Sequence, residues 1–153
     1  MNKYYEGAEG KLFVDPILAN HTGLTEITKE EFNQIIADRQ KPAPDQLLQQ
    51  LTQARKEQER QGVTMNGVRY GGEPENRQAL QEAVAFMDDA GLTQFPRFKD
   101  SDGTFCTDHP LADVLDAYRA IGARRAQLIT TEGDYAEQIA AGTLTDLTDL
   151  VWP

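Results

Sequence analysis

The chain has 153 residues, of which 15 are Lys or Arg and 25 are Asp or Glu, so its formal net charge is −10 at pH 7. This acidic balance argues against general nucleic-acid binding, which requires a basic surface to displace counterions from phosphates. No apolar run approaches the roughly 20 residues of a membrane span, and the first residues lack the charged-then-apolar layout of a signal peptide.

The N-terminal residues predict a hairpin. Tyr4 and Tyr5 are strand formers, a glycine-containing turn follows them, and Leu12 to Val14 return as the second strand. We expect a loop after this hairpin, which continues through Gly23.

A capping box predicts where the first helix begins. The Thr28 hydroxyl can accept a hydrogen bond from the Glu31 amide while the Glu31 carboxylate reaches back, and the helix is expected to end near Arg39. Two prolines shortly after this helix favour an extended linker. We therefore predict an N-terminal hairpin, helix and linker over 1–44, followed by an α+β domain over 45–153.

A second helix is expected from Asp45. Its apolar stripe consists of Leu47, Leu48, Leu51 and Ala54. The helix end from Arg55 to Gln61 is polar all round, which we interpret as a solvated surface, with packing on a partner helix as the alternative. The pairs Arg55-Lys56 and Arg124-Arg125 are too short to indicate a basic patch. Gly62 supplies the stop signal.

The strongest local signal in the chain is Asn66-Gly67, which predicts a two-residue type I′ turn because both positions need φ > 0. Folding at this turn pairs Met65 with Val68, Thr64 with Arg69, and Val63 with Tyr70. The side chains of Val63, Met65, Val68 and Tyr70 then lie on one face of the hairpin. This pattern is typical of an antiparallel hairpin that lies on a core.

Another helix and another hairpin are expected next. Pro74 suits the first turn of a helix, Gly91 suits the position after its end, and Leu92 can make the apolar contact of a Schellman motif. The third hairpin is predicted from Phe95 to Thr107, with its turn at Asp100 to Gly103.

Helical spacing of apolar residues begins again at Leu111 and continues toward Ile139, although Gly122 and Gly133 are points at which a helix would kink or split. The tail from residue 143 to 153 fits either a strand-like alternation or a helical turn. The predicted fold class is α+β, in which antiparallel hairpins alternate with helices and a long helix lies near the C-terminus.

The sequence predicts no catalytic, metal or cofactor site, and an enzyme is the least favoured class of function. Cys106 and His109 supply two ligands where zinc needs three or four, and no third group is identified that would orient a Cys–His nucleophile. Residues 100–103 match part of a calcium loop, but Phe98 and His109 stand where the full pattern needs Asp and Glu. Cys106 is the only cysteine, so the chain has no intramolecular disulfide.

The segment Gly62–Arg69, which reads GVTMNGVR, resembles a signature of a tailed-bacteriophage family of otherwise unknown function. In that family a helix rich in Arg and Glu precedes the hairpin, and a helix, a strand with an aromatic-D-G-T-F turn and a long C-terminal helix follow. The corresponding segments here are Gln53–Gln61, Gln78–Ala90, Phe98–Phe105 and Leu111 onward. Phe98 stands where the family often has tryptophan, and the resemblance covers roughly Leu47 to Ala141.

The two ends resemble phage tail-fibre assembly proteins. Tyr4-Tyr5, Leu12–Val14 and residues 24–32 have a layout similar to their N-termini, and Asp149–Pro153 is similar to their Trp-Pro close. Members of these families are encoded with tail genes and are called tail-fibre assembly chaperones or tail proteins. The resemblance implies a non-enzymatic protein that binds a tail fibre or baseplate component, located in the virion tail or in the host cytoplasm during assembly.

Candidate partner-binding residues lie near both ends of the chain. They are Leu12, Phe13, Leu150, Val151 and Trp152. Exposed hairpin edges can add strands to a partner, although core packing is the alternative for Leu12, Phe13 and Trp152. We expect no nucleic-acid partner and no membrane insertion, and we leave a homo-oligomer open. The alternative function is a phage accessory protein that acts on a host factor in the cytoplasm, with binding that weakens at high salt.

Overall fold

The structure, a computed structural model, describes residues 2–15 and 23–153. The chain divides into two compact units, Met1–Ala43 and Pro44–Pro153, which we call the N-terminal unit and the C-terminal unit. The described residues form seven strands, four α-helices and one short 3-10 helix, and the fold is α+β with antiparallel strand pairs and a long C-terminal helix. No helix in these ranges combines the length and the apolar character that a membrane span requires.

The N-terminal unit consists of a three-stranded antiparallel sheet and one helix. Its elements are β1 (Tyr4–Glu6), β2 (Leu12–Val14), β3 (Thr25–Ile27) and α1 (Lys29–Gln40). The strand order is β2-β1-β3, so β2 and β3 are the outer strands. Helix α1 packs against β1, where the rings of Tyr4 and Phe32 lie with centroids 4.9 Å apart.

Strand β3 is an addition to the predicted elements, since sequence analysis assigned no strand to Thr25–Ile27. It pairs with β1 so that Tyr4 lies opposite Ile27. Three residues are too few to show the alternation of a strand. The predicted loop falls mainly on residues 16–22, which lie outside the described residues.

The predicted capping box at the start of α1 is confirmed. The Glu31 amide donates to Thr28 Oγ1 at 3.1 Å, and the Thr28 amide donates to Glu31 Oε2 at 2.7 Å. This second bond to the backbone lowers the pKa of the Glu31 carboxyl. The helix therefore satisfies two of its free amide donors within four residues.

The C-terminal unit contains three helices and two hairpins. Its elements are α2 (Pro44–Gln61), β4 (Val63–Met65), β5 (Val68–Tyr70), α3 (Pro74–Asp89), β6 (Gln94–Lys99), β7 (Phe105–Pro110) and α4 (Leu111–Ala140). Helix α4 packs against α2 and α3, and it also contacts β4, β6 and β7. This long helix is therefore the element on which the rest of the unit assembles.

The central hairpin forms in the predicted register, with Val63 opposite Tyr70 and Met65 opposite Val68. Asn66 and Gly67 have φ values of +52° and +77°, as a type I′ turn requires. The backbone just before this hairpin lies in van der Waals contact with the backbone just after it. A Cβ atom at Gly72 would lie 1.8 Å from the carbonyl oxygen of Glu59, so only glycine fits there.

Two clusters of buried side chains stabilise the C-terminal unit. The first, which we call the hairpin core, contains Tyr70, Leu80, Val114, Ala117 and Ile121, and the apolar face of the central hairpin packs on it. The second, which we call the tail core, contains Leu47, Leu51 and Ile139. Together they join all three helices and the central hairpin.

The end of α3 and the third hairpin also follow the prediction. The Leu92 amide donates to the carbonyl of Met87 at 2.9 Å, and the Gly91 amide donates to that of Asp88 at 3.0 Å, which are the two bonds of a Schellman motif. The hairpin extends beyond the predicted range, since Gln94 pairs with Pro110. The Asp100 carboxylate closes the turn by accepting hydrogen bonds from the backbone amides of Asp102 and Thr104.

Helix α4 neither splits nor stops at Gly122 or Gly133, and it continues as one helix to Ala140. The tail after it is neither a strand nor a helix. Instead, an irregular segment packs on the tail core through Leu144, Leu147, Leu150 and Trp152. The two alternatives considered for this tail were therefore both wrong.

Candidate functional site

Leu12 and Phe13 lie on β2, an outer strand of the N-terminal sheet, and both are half-buried. Phe13 pairs with Tyr5 on β1, while Leu12 pairs with Glu6 and points to the other face. The Phe13 ring lies over the backbone of Gly7, where an added Cβ atom would be 2.9 Å from Phe13 Cε2. Each side chain therefore has contacts in its own unit and retains an accessible part.

The three predicted tail residues differ in their surroundings. Leu150 and Trp152 are half-buried on the tail core, and the Trp152 ring meets Tyr135 edge-on at 5.9 Å. Val151 between them points outward and is 76% exposed. Leu150 and Trp152 therefore pack on the chain itself, and only Val151 of the three is exposed to solvent.

Tyr135 on α4 adds hydrogen bonds to the apolar packing that holds the tail. Its hydroxyl donates to the carbonyl of Val151 at 2.9 Å and accepts from the amide of the same residue at 3.1 Å. Both backbone groups of Val151 are therefore satisfied without a neighbouring strand. This arrangement fixes the direction of the exposed Val151 side chain.

The polar end of α2 is the largest departure from the sequence interpretation. Glu59 is only 10% exposed in its side chain and pairs with guanidinium groups from three helices. Its partners are Arg55 on α2, Arg77 on α3 at 3.7 Å and Arg125 on α4 at 3.3 Å. We call this cluster, together with Glu132 and Arg124, the charged junction.

The charged junction continues along α4. Arg55 also pairs with Glu132 at 2.5 Å, so it joins two carboxylates. Arg124 forms no ion pair within the described ranges; its Nη2 lies 3.4 Å from Gln58 Oε1, and its Nε is buried without a hydrogen-bond partner. One face of this helix end packs on α4, in agreement with the alternative of packing on another helix, while Lys56, Glu57, Arg60 and Gln61 on the other face are exposed.

Two signals in the sequence pointed toward this junction. Arg55 and Glu59 have the i,i+4 spacing of a helical ion pair, and Arg124-Arg125 is one of the basic dipeptides. Neither signal shows that the three helices converge. Short dipeptides that are distant in sequence thus form one basic cluster in space.

His109 lies in β7 and is buried. Its Nε2 is 2.6 Å from the hydroxyl of Tyr70, and its ring stacks on Phe98 at a centroid distance of 4.7 Å. Burial raises the pKa of Tyr70 to about 12, with smaller contributions from Asp113 and Cys106. The tyrosine hydroxyl therefore stays protonated and can donate to the imidazole.

This buried pair lies inside the hairpin core. Tyr70 comes from the central hairpin and His109 from the third hairpin, so their bond joins the two ribbons. Among the described residues, no three His, Cys, Asp or Glu side chains form a group that could hold a metal ion. The pair is best explained as a polar link between two hairpins.

Residues 42–151 match the model of the family described as "Domain of unknown function (DUF4376)". The match covers more than half of the chain, and the chain belongs to this family. Neither a curated protein nor a solved structure matches the chain.

Proposed function

We propose that this member of the DUF4376 family is a non-enzymatic bacteriophage tail-associated protein. It binds a tail fibre or baseplate component, either as a structural part of the virion or as an assembly chaperone. The phage context rests on the resemblance of Gly62–Arg69 and of the two ends to tail-associated proteins. The support for a binding role comes from the N-terminal unit.

The observation that carries the binding role is the open construction of that unit. None of its described residues is buried, and its three strands have only three residues each. Units of about 40 residues rarely bury enough surface to be stable by themselves. A partner that covers this sheet would supply the missing burial.

The outer strands also suit strand addition. In the order β2-β1-β3, one edge of β2 and one edge of β3 have no strand partner within the described residues. An outer strand such as β3 can add an extended segment of a partner through its backbone amide and carbonyl groups. The accessible parts of the Leu12 and Phe13 side chains on β2 offer apolar contacts to a partner on the sheet, and the exposed Val151 offers a separate apolar contact.

Mass spectrometry of purified virions tests the proposal. Stoichiometric presence of the chain supports a structural tail component. Absence from virions combined with co-purification on a tail fibre from infected cells supports an assembly chaperone. Absence from both contradicts the proposal and favours the alternative of an accessory protein that acts on a host factor.

A matched pair of variants tests the surface. Val14 on β2 and Ile36 on α1 belong to the same unit and are 38% and 37% exposed. We expect Val14→Asp to weaken co-purification with the fibre or baseplate component, whereas Ile36→Asp leaves it unchanged. Equal effects of the two substitutions would contradict binding at the outer strand.

A further inference from the structure

An open groove of about 810 Å³ runs between α3 and α4 in the C-terminal unit. Its α3 side includes Arg77, and its α4 side includes Arg119 and Arg125. The residues that line it contain one carboxylate, that of Glu82, whose Oε1 accepts from Gln78 at 2.8 Å. A smaller space of about 320 Å³ adjoins the groove at Pro74, Arg77 and Arg125.

Basic residues are concentrated around these two spaces. The C-terminal unit has ten Lys and Arg residues and eighteen acidic residues. Seven of the ten basic residues belong to the charged junction or line the two spaces. The seven are Arg55, Lys56, Arg60, Arg77, Arg119, Arg124 and Arg125. This region is therefore the most basic part of a strongly acidic chain.

The arginines at the groove retain donors that the chain does not use. Glu59 is shared by three guanidinium groups, each of which has five N–H donors. The Arg125 side chain is 45% exposed, and among the described residues that of Arg119 forms an ion pair only with the exposed Asp116 on its own helix. A further carboxylate can therefore reach both side chains without breaking the charged junction.

The groove also has an apolar surface suited to a polypeptide. Tyr118, Ala85 and Pro74 contribute to its lining together with Gly122. Glycine destabilises a helix interior relative to alanine, and nothing lies within 4 Å of the position that a Cβ atom on Gly122 would occupy. The open space at Gly122 allows another backbone to approach α4.

We propose that this groove binds an acidic segment of a protein partner, whose carboxylates pair with Arg119 and Arg125 while apolar side chains contact Tyr118 and Ala85. Guanidinium groups recognise carboxylates through paired hydrogen bonds. A nucleic acid is a poorer fit, because its phosphate backbone would extend beyond the groove and meet the negative charge of the rest of the unit. This inference stands apart from the tail proposal, since it depends only on the groove.

Fluorescence anisotropy on the full chain tests the inference. The probe is a fluorescein-labelled peptide of Glu, Ala and Leu whose glutamates share one helical face. The comparison probes are the same peptide with Gln in place of Glu, and a labelled oligothymidylate. We expect the Glu peptide to bind at least about tenfold more tightly than the Gln peptide at low salt, and to weaken as salt is raised.

Variants locate the binding site. Arg125→Gln should weaken binding of the Glu peptide by about tenfold, as the loss of one charge-assisted contact predicts. Arg97→Gln, which removes the same charge from β6 outside the groove, should have no effect. If Arg125→Gln fails to fold, Arg119→Gln replaces it, because that side chain is 66% exposed.

Three results would overturn the inference. They are equal affinity for the Glu and Gln peptides, tighter binding of oligothymidylate than of the Glu peptide, and an equal loss of affinity in Arg97→Gln. The virion experiment is unaffected by any of these results.

Discussion

The C-terminal unit buries ten apolar side chains, whereas the described part of the N-terminal unit buries none. The first is stabilised by packing around α4. The second relies on short strand ladders, a capping box and the exposed ion pair between Lys3 and Glu26. Exposed ion pairs contribute little stability, so we expect the C-terminal unit to be the more stable of the two.

The largest expected effect is a loss of packing in the tail core. Leu51 is 1% exposed and Leu48 on the same helix is 36% exposed. We expect Leu51→Ala to lower the free energy of unfolding by about 2–5 kcal/mol because it leaves a cavity. Chemical denaturation of both variants gives the comparison. A loss from Leu48→Ala as large as that from Leu51→Ala would contradict the assigned core.

The buried link between the hairpins should give the next largest effect. Tyr70→Phe leaves the Nε2 atom of buried His109 without its partner, which costs about 1–3 kcal/mol. Tyr118→Phe is the control, since that ring borders the groove. Denaturation curves at neutral pH measure the difference, and equal stability of the two variants would contradict the importance of the link.

The same residue makes stability depend on alkaline pH. The pKa of Tyr70 is raised from its ordinary value near 10 to about 12 in the folded chain. Its contribution to stability is therefore complete below pH 10 and is lost as the pH rises through about 12. Denaturation between these pH values should show a fall in unfolding free energy that Tyr70→Phe reduces. An unchanged fall in the variant would show that other groups cause it.

A substitution at Gly67 in the central turn should lower stability by a smaller amount. A valine at Gly67 must adopt a φ of +77°, a left-handed conformation that costs about 1–2 kcal/mol or more for a branched residue. Nothing lies within 4 Å of the added Cβ, so the cost is one of conformation and not of collision. Thermal unfolding of Gly67→Val, with Asn66→Gly as the tolerated control, measures it. An unchanged melting temperature would contradict the role of this turn.

The smallest effect is expected in the N-terminal unit. Thr28→Ala removes the capping hydroxyl of α1 and should cost about 1 kcal/mol of local helix stability. Hydrogen exchange should show faster exchange in α1 while α4 is unchanged. Faster exchange in α4 as well would mean that the two units unfold together.

The sequence correctly predicted the structural features that depend on a few neighbouring residues. The turn at Asn66-Gly67, the cap at Thr28 and the Schellman motif at Gly91 each depend on a few neighbouring residues, and all three are present. Strand β3 was missed because it pairs with β1, more than fifteen residues earlier in the chain. A three-residue strand has no pattern of its own.

The candidate sites depend on contacts that are distant in sequence. Glu59 gathers arginines from three helices, and no local pattern reveals that convergence. The Tyr135 hydroxyl bonds both backbone groups of Val151 in the tail, a contact that the tail's own sequence does not indicate. Leu150 and Trp152 were predicted as partner-binding residues, with core packing as the alternative for Trp152, and in the structure both pack on the tail core.

Native-state hydrogen–deuterium exchange tests the contrast between the two units most directly. For the isolated chain we predict strong protection of the amides in α2, α4 and the central hairpin, and weak protection of those in β1, β2, β3 and α1. Addition of the partner should raise protection in the N-terminal unit first. Equal protection of both units in the isolated chain would contradict the account, because it would show that the N-terminal sheet needs no partner to be stable.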